Sequence, residues 1–195
     1  QTVPATPGQP DKQPMVIPLR IAMLDAETGL HKGEQLIILD AAEKSFTFQG
    51  FVVRPALSIN RGYTAPVKIE REASLQELML LAAHDDDSFA RYEAMQELMV
   101  GHLVAAANGN LSEDARAAGA NAIATAMRAI VTDDQLDDSM RGELMVLPTT
   151  TYLFEQFDKA DPDAIHRERE GLKAMLARTL AGELAALYDR AEKVP

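Results

Sequence analysis

Cysteine and tryptophan are absent from the 195-residue chain, and aromatic residues make up only 5% of it. Without cysteine, disulfides and thiolate-held metals are excluded. No apolar run approaches the roughly 18–20 residues that span a bilayer as a helix, so the expectation is no membrane partner. Histidine is scarce as well. The four are His31, His84, His102 and His166, and none precedes a glutamate. The zinc-protease signature H-E-x-x-H places two histidines on one helix face with the glutamate as general base, and it has no match here. Ser58 and Thr150 have no neighbouring His–acid pair from which a triad could be argued. The reading is that this chain carries no catalytic, metal-ligating or cofactor-binding residue. The first residue is Gln and no charged-then-apolar leader follows it, so the expectation is a piece of a longer protein.

What is present is apolar and acidic. Apolar residues reach 47%, enough to bury a core. Net charge is −11; residues 1–73 carry 8 basic and 8 acidic side chains, whereas residues 74–195 carry 11 and 22. All of the excess lies in the second half. An acidic half repels phosphate backbones, which argues against nucleic acid as a partner. The acidity serves solubility; the sharper reading is a cavity that attracts cationic ligands, such as the free amino end of a peptide.

The chain is organised around Thr64-Ala-Pro-Val-Lys-Ile-Glu-Arg-Glu-Ala-Ser-Leu75. Before this stretch apolar residues repeat every second position; after it they repeat every three to four. Val67 and Ile69 give the last strand signal, and Ser74 with Glu77 reads as a capping box opening the first helix. The expected fold class is α+β as two modules, an N-terminal antiparallel β-sandwich (Ig-like) followed by an all-α antiparallel helix array (α-solenoid-like). The expected domains are 1–72, with an extended N-terminal arm, and 73–195, the first helices of a longer domain.

In the first module, Gln1 to Pro14 holds four prolines and no apolar periodicity, an extended arm. Strands are expected at Met15–Asp25, with Ile17, Leu19, Ile21 and Met23 facing one way, at Gln35–Asp40, at Lys44–Gln49 and at Ala56–Asn60. Glu27-Thr28-Gly29 and Lys32-Gly33 punctuate a turn. Pro18 favours an edge or a bulge. Phe46 and Phe48 alternate with polar neighbours, and burying each contributes about 1.5–3 kcal/mol. Five or so short strands imply a thin sandwich.

Several segments resemble the small β domain of bacterial aminopeptidase N. They are Pro4-Ala-Thr-Pro7, Lys12-Gln-Pro14, Ile17-Pro18, Phe46-Thr-Phe48, Pro55-Ala-Leu-Ser-Ile-Asn60 and Ala65-Pro-Val-Lys68. His84-Asp-Asp-Asp-Ser-Phe-Ala-Arg91-Tyr92-Glu93, Leu147-Pro148 and Asp161-Pro162 are similar to that family's helical domain, with Tyr92 where Trp is more usual. The resemblance implies a parent with zinc in an upstream catalytic domain. The parent would hydrolyse amino-terminal residues from peptides in the cytoplasm, with this part as spacer and cavity wall. The implied partners are the catalytic domain, the remaining C-terminal helices and peptide substrates, and the isolated chain is expected to self-associate through exposed apolar faces. The family's Gly-x-Met-Glu-Asn segment is missing, like its zinc motif, so the chain alone is expected to be inactive. The alternative is a stand-alone protein-interaction module.

Helices are expected at Leu75–Ala83, from Asp85-Asp-Asp87 to Asn108-Gly109, from Ser112, from Asp137 to before Pro148, at Tyr152–Asp158, and from Asp161-Pro162 to about Glu192. Pairs at intervals of roughly 40 residues suggest stacked hairpins. His84 with Asp85, Asp86 and Asp87 could hold a divalent cation, against the plainer reading of an acidic helix cap. Asp133, Asp134, Asp137 and Asp138 fail the calcium-loop spacing, with Leu144 at the twelfth position. His166-Arg-Glu-Arg-Glu170 reads as a solvated face, and the nine methionines as core filler.

Overall fold

Residues 1–192 are described by the structure, a computed structural model; residues 193–195, the end of the expected helical domain, lie outside the described residues. The strands β1 (Ile17–Leu24), β2 (His31–Leu39) and β3 (Ala56–Ile59) form one antiparallel sheet in the order β2-β1-β3. The helices α1 (Leu75–His84), α2 (Ser88–Ala107), α3 (Glu113–Thr132), α4 (Asp138–Met145), α5 (Thr150–Phe154), α6 (Pro162–Thr179) and α7 (Ala181–Ala191) follow. The two-module order, strands and then helices, holds. No helix among the described residues is long and apolar enough to cross a membrane.

β1 works on both faces because side chains alternate along a strand. Leu19, Ile21 and Met23 are buried on one face and join Ala65 in a small cluster. Leu24 points the other way and enters the main helical core together with Ala56 of β3. The sheet is thereby pressed against the helices. β2 begins at His31, ahead of the expected Gln35, so the expected turn residues Lys32 and Gly33 lie inside it. Pro18 sits where β1 has β2 on one side and no strand on the other, since β3 pairs only with Ile21 to Leu24. A missing N–H is tolerated at such an edge.

Two expected strands are corrected. Lys44–Gln49 and Val67–Ile69 join no ladder among the described residues. Their alternation is real: Phe46, Phe48, Val67 and Ile69 are half-buried, and Ser45, Thr47, Lys68 and Glu70 are exposed. Phe48, Val67 and Ile69 pack on the Leu19–Met23 face as extended strips. Alternating burial needs only an extended backbone over an apolar surface, whereas a ladder needs a hydrogen-bonded neighbour about 4.8 Å away. Residues 1–14, expected as an extended arm, are largely exposed, but the arm is closed at its base. Met15 N–H donates to Gln1 Oε1 at 3.0 Å, and Gln1 Nε2 donates to Met15 O at 2.8 Å.

Asp25 shapes the β1–β2 turn. Its Oδ1 accepts the N–H groups of Glu27 and Thr28, both at 3.1 Å, and Lys32 Nζ lies 3.1 Å from Oδ2. Lys32 above all, then these N–H groups, hold the carboxyl at about 2 instead of 3.8. A depressed folded value means stability that is present above 3.8 and lost as pH falls towards about 2. Asp25→Asn is therefore expected to lower the thermal midpoint at neutral pH. That gap from wild type should close by about pH 2. A gap that stays constant over the acid titration would refute this role.

The helix starts follow their caps. Ser74 accepts from Glu77 N–H at 3.1 Å. The expected capping box is only half formed, because Glu77 Oε1 accepts Leu57 N–H of β3 at 3.2 Å. Asp87, Ser112, Asp137 and Asp161 cap α2, α3, α4 and α6. Thr149 caps α5 and so starts it slightly earlier than expected. The single last helix expected from Pro162 to about Glu192 is two. Leu180 leaves helical geometry (φ −110°, ψ 14°) and is fully buried between α6 and α7. Arg128 bridges the break, donating to Thr179 O at 3.3 Å and to Glu183 Oε1 at 2.7 Å. Leu172, Leu176, Leu180, Leu184 and Leu187 keep helical spacing through the bend, which hides the break from periodicity.

One joint occurs twice. Arg91 follows the cap of α2 by one turn and donates to Ala82 O (3.0 Å) and Ala83 O (2.8 Å) at the end of α1. Arg141, at the same place in α4, donates to Ile130 O (2.6 Å), Val131 O (3.1 Å) and Leu136 O (2.8 Å) at and beyond the end of α3. The last carbonyls of a helix lack intrahelical partners, and one guanidinium satisfies several. Arg91 also reaches Asp133 at 3.2 Å, tying the first helix pair to the second. Met95, Met99 and Met127 fill the core between these helices, as expected of methionine.

α2 and α3 meet closely at Gly119, where a Cβ would lie 2.5 Å from His102 Nδ1. Burial, with Arg116 nearby, holds the His102 imidazole below its ordinary value. Alanine in a helix normally gains about 1 kcal/mol over glycine, but displacing a packed ring costs about 1–3 kcal/mol. Gly119→Ala should therefore destabilise the wild type and stabilise a His102→Ala background. Urea midpoints of the four proteins check this, and the same sign in both backgrounds would refute it.

Candidate functional site

β3 leads into a tight turn in which Asn60 (φ 58°), Gly62 (φ 61°) and Tyr63 (φ 52°) all adopt left-handed backbone conformations. Asn and Gly accept this conformation readily; Tyr does not. The buried Asn60 side chain clamps the turn. Ala65 N–H donates to its Oδ1 at 2.9 Å, and its Nδ2 donates to Ala65 O at 3.0 Å. Arg61 is thereby directed inwards, and Tyr63 lies against Phe89 of α2 with ring centroids 5.0 Å apart.

Arg61 is 4% exposed and sits between sheet and helices. Its Nη1 donates to Asp85 Oδ1 (2.8 Å) and Ser58 Oγ (3.1 Å), and its Nε to Glu34 Oε2 (2.9 Å). Nη2 pairs with Asp86. Residues of β2, β3 and the α1–α2 junction therefore converge on one side chain. Burial pushes the Asp85 carboxyl up, against the lowering effects of Ser58, Asp87 N–H and Arg61. Its Oδ2 is buried without a hydrogen-bond partner among the described residues. For Asp86, burial raises and Arg61 lowers, and Arg61 wins, so the carboxyl is held down. Burial works to lower Arg61 itself, but Asp86, Glu34 and Asp85 outweigh it and raise its pKa.

The sequence offers the acidic run at Asp85–Asp87, with His84, as a cation site. The structure brings in a different histidine: donor atoms of His31, Asp85 and Asp86 lie within 4.8 Å of one another. His31 Nε2 is 3.1 Å from Asp86 Oδ1. His84 is exposed and packs against the turn at Gly29, where a Cβ would lie 3.1 Å from its Cγ. The set does not fit a resident zinc. It offers one imidazole, and Oδ1 of both Asp85 and Asp86 already faces the Arg61 guanidinium. The cation of this cluster is Arg61. Asp87 caps α2, its side chain accepting Ala90 N–H.

Beside this network lies an open cleft of about 910 Å³ between residues 58–71, α2 and the α4–α5 connection. Tyr63, Phe89, Tyr92 and Tyr152 supply its aromatic walls, and Asp85, Glu93, Glu97, Lys68 and Arg71 its charges. Arg71 is engaged, donating to Leu57 O at 2.8 Å and pairing with Glu97 at 3.2 Å.

The other residues weighed from sequence serve as structural ties. Asp133 pairs with Arg91, Asp134 with Arg190 at 2.6 Å, and Asp138 with Arg141 at 3.3 Å, while Asp137 caps α4. His166 and Arg167 are exposed, but Glu168 pairs with Arg116 and Arg169 donates to Pro148 O at 2.8 Å. Ser58 accepts from Arg61, and Thr150 opens α5. His31, Glu34, Asn60 and Arg61 were missed. The one local signal was Asn60-Arg-Gly62 after a strand, a turn pair that flanks a basic residue.

An antiparallel sheet module locked onto helix pairs with a recurring joint defines a β module followed by a helical-repeat array. Residues 75–195 match the family described as "Domain of unknown function (DUF3458_C) ARM repeats", and residues 1–72 match "Domain of unknown function (DUF3458) Ig-like fold". The chain belongs to this DUF3458 family, an Ig-like fold followed by ARM repeats. It is similar to aminopeptidase N of Escherichia coli K12, 32% identical over 97% of this chain and 22% of that protein. Aminopeptidase N of Caulobacter vibrioides is 31% identical over 86% of this chain and 19% of that protein. The crystal structure of Legionella pneumophila aminopeptidase A in complex with aspartic acid superposes with a TM-score of 0.79. It is 28% identical, over 92% of this chain and 21% of that one. The chain thus spans about a fifth of the length of the curated relatives it matches.

Proposed function

We propose that this chain is a non-catalytic part of a zinc-dependent aminopeptidase N that removes amino-terminal residues from peptides in the bacterial cytoplasm. The observation that carries the reading is the match to aminopeptidase N along 97% of the chain. In this reading residues 1–72 form the Ig-like domain and act as a spacer. Residues 73–195 are the first helices of the domain that walls a cavity over the catalytic site. A spacer must hold a fixed orientation, and the Arg61 network between sheet and helices supports that role. Zinc and the catalytic residues belong to the parent's catalytic domain, and this chain's partners are that domain and the further helices. The isolated chain is expected to self-associate through exposed apolar side chains such as Tyr188, 65% exposed.

Two assays test the reading. The purified chain is expected to turn over no chromogenic amino-acid amide and to carry no stoichiometric zinc. A chimaera of the Escherichia coli enzyme with this chain in place of its matching region is expected to keep peptidase activity within about tenfold, since the chemistry lies elsewhere. Zinc-dependent turnover by the chain alone would overturn the reading, as would a folded, zinc-loaded chimaera without activity.

A further inference from the structure

The inter-module cleft carries a charge that the fold does not use. Lys68 pairs with Glu70 at 3.2 Å, and Arg71 is held by Glu97 and Leu57 O. Glu93 lines the same cleft and has no ion-pair partner among the described residues. It stands beside Tyr92 on α2. Tyr152 comes from α5, and Phe89 and Tyr63 form a tilted aromatic pair in the wall. Tyr63 is 54% and Tyr152 48% exposed, so the aromatic rim is open to solvent. Farther along the cleft lies Asp85, whose Oδ2 lacks a hydrogen-bond partner among the described residues.

A carboxylate without an ion pair, in a cleft that aromatic rings also line, is the complement of an organic cation, because ring faces and a carboxylate attract the same charge. A hydrated metal ion has no use for four aromatic rings. A guanidinium or ammonium on an aliphatic stem uses both parts. Sites of about 300–1,000 Å³ hold drug-sized ligands, and the open cleft of about 910 Å³ leaves room for a ligand larger than a free amine.

We propose that this cleft binds a short extended polypeptide segment, placing an arginine or lysine side chain against Tyr92 and Tyr152 with its charged head on Glu93. The acidity of the helical module steers such segments towards it. The proposal does not depend on the aminopeptidase reading, since it uses only Glu93, Tyr92 and Tyr152 of this chain.

The test is calorimetric titration of the chain with a pentapeptide that is acetylated, amidated and built around a central arginine flanked by leucines. The blocked ends exclude recognition of a free amino terminus. The same peptide with citrulline in place of arginine is the neutral isostere, and spermidine is the free-amine probe. The arginine peptide is expected to bind about tenfold more tightly than the citrulline peptide, and about tenfold more tightly to wild type than to Glu93→Gln. Glu113→Gln, at the start of α3, should leave affinity unchanged. Glu93 is exposed, so its variant should fold, and the citrulline comparison needs no variant at all. Equal affinity for the two peptides, or for wild type and Glu93→Gln, overturns the proposal. Spermidine binding as tightly as the arginine peptide overturns the polypeptide assignment.

Discussion

Arg61→Met is expected to destabilise the chain by about 3–5 kcal/mol, the usual consequence of removing one partner from a buried ion cluster. Methionine roughly keeps the volume, so the loss is electrostatic and not a cavity effect. It strands Asp85, fully buried, with one of its few stabilising partners gone. The sign with pH follows. The folded Asp85 carboxyl already lies above its ordinary value through burial, and without Arg61 it rises further. A raised folded pKa means that stability is greatest when the group is protonated and is lost as pH rises through that value. The penalty of Arg61→Met should therefore be smaller in mild acid than at neutral pH, and Asp85→Asn should rescue much of it. Urea unfolding of both single variants and the double variant at two pH values measures this. An Asp85→Asn change that merely adds its own cost to that of Arg61→Met would show that the two residues are not coupled. Glu34 is 44% exposed, so its share of the network is small.

Arg141→Ala should cost about 2–4 kcal/mol, because the buried Ile130 and Val131 carbonyls at the end of α3, and the half-buried Leu136 carbonyl beyond it, lose their donor. The ion pair with Asp138 is a minor part, since that carboxylate is 77% exposed. Asp138→Asn should accordingly change stability by less than about 0.5 kcal/mol. Arg141→Lys keeps the charge but cannot reach three carbonyls at once, and is expected to recover less than half of the loss. Full recovery by lysine would mean that charge, not the fork of donors, holds this joint. The unfolding slope should stay constant across the series, as expected when only native-state stability changes.

The sequence by itself determined the order of the modules, the helix starts and much of the core. Ser74, Asp87, Ser112, Asp137 and Asp161 cap helices where they were read, because a cap depends on residues within one turn. The apolar alternation picked out Leu19, Ile21 and Met23 of the sheet for the same local reason. Tertiary structure decided the rest. Whether Lys44–Gln49 pairs or merely lies on the sheet depends on how far away its neighbour is. Whether the last helix bends depends on where Leu180 can be buried and what Arg128 can reach across the break. The inward turn of Arg61 depends on Asn60 and Ala65, but its partners come from Glu34, Ser58, Asp85 and Asp86, on three separate segments. A buried charge is placed by the groups that neutralise it, and here those groups come together only when the sheet packs against the helices.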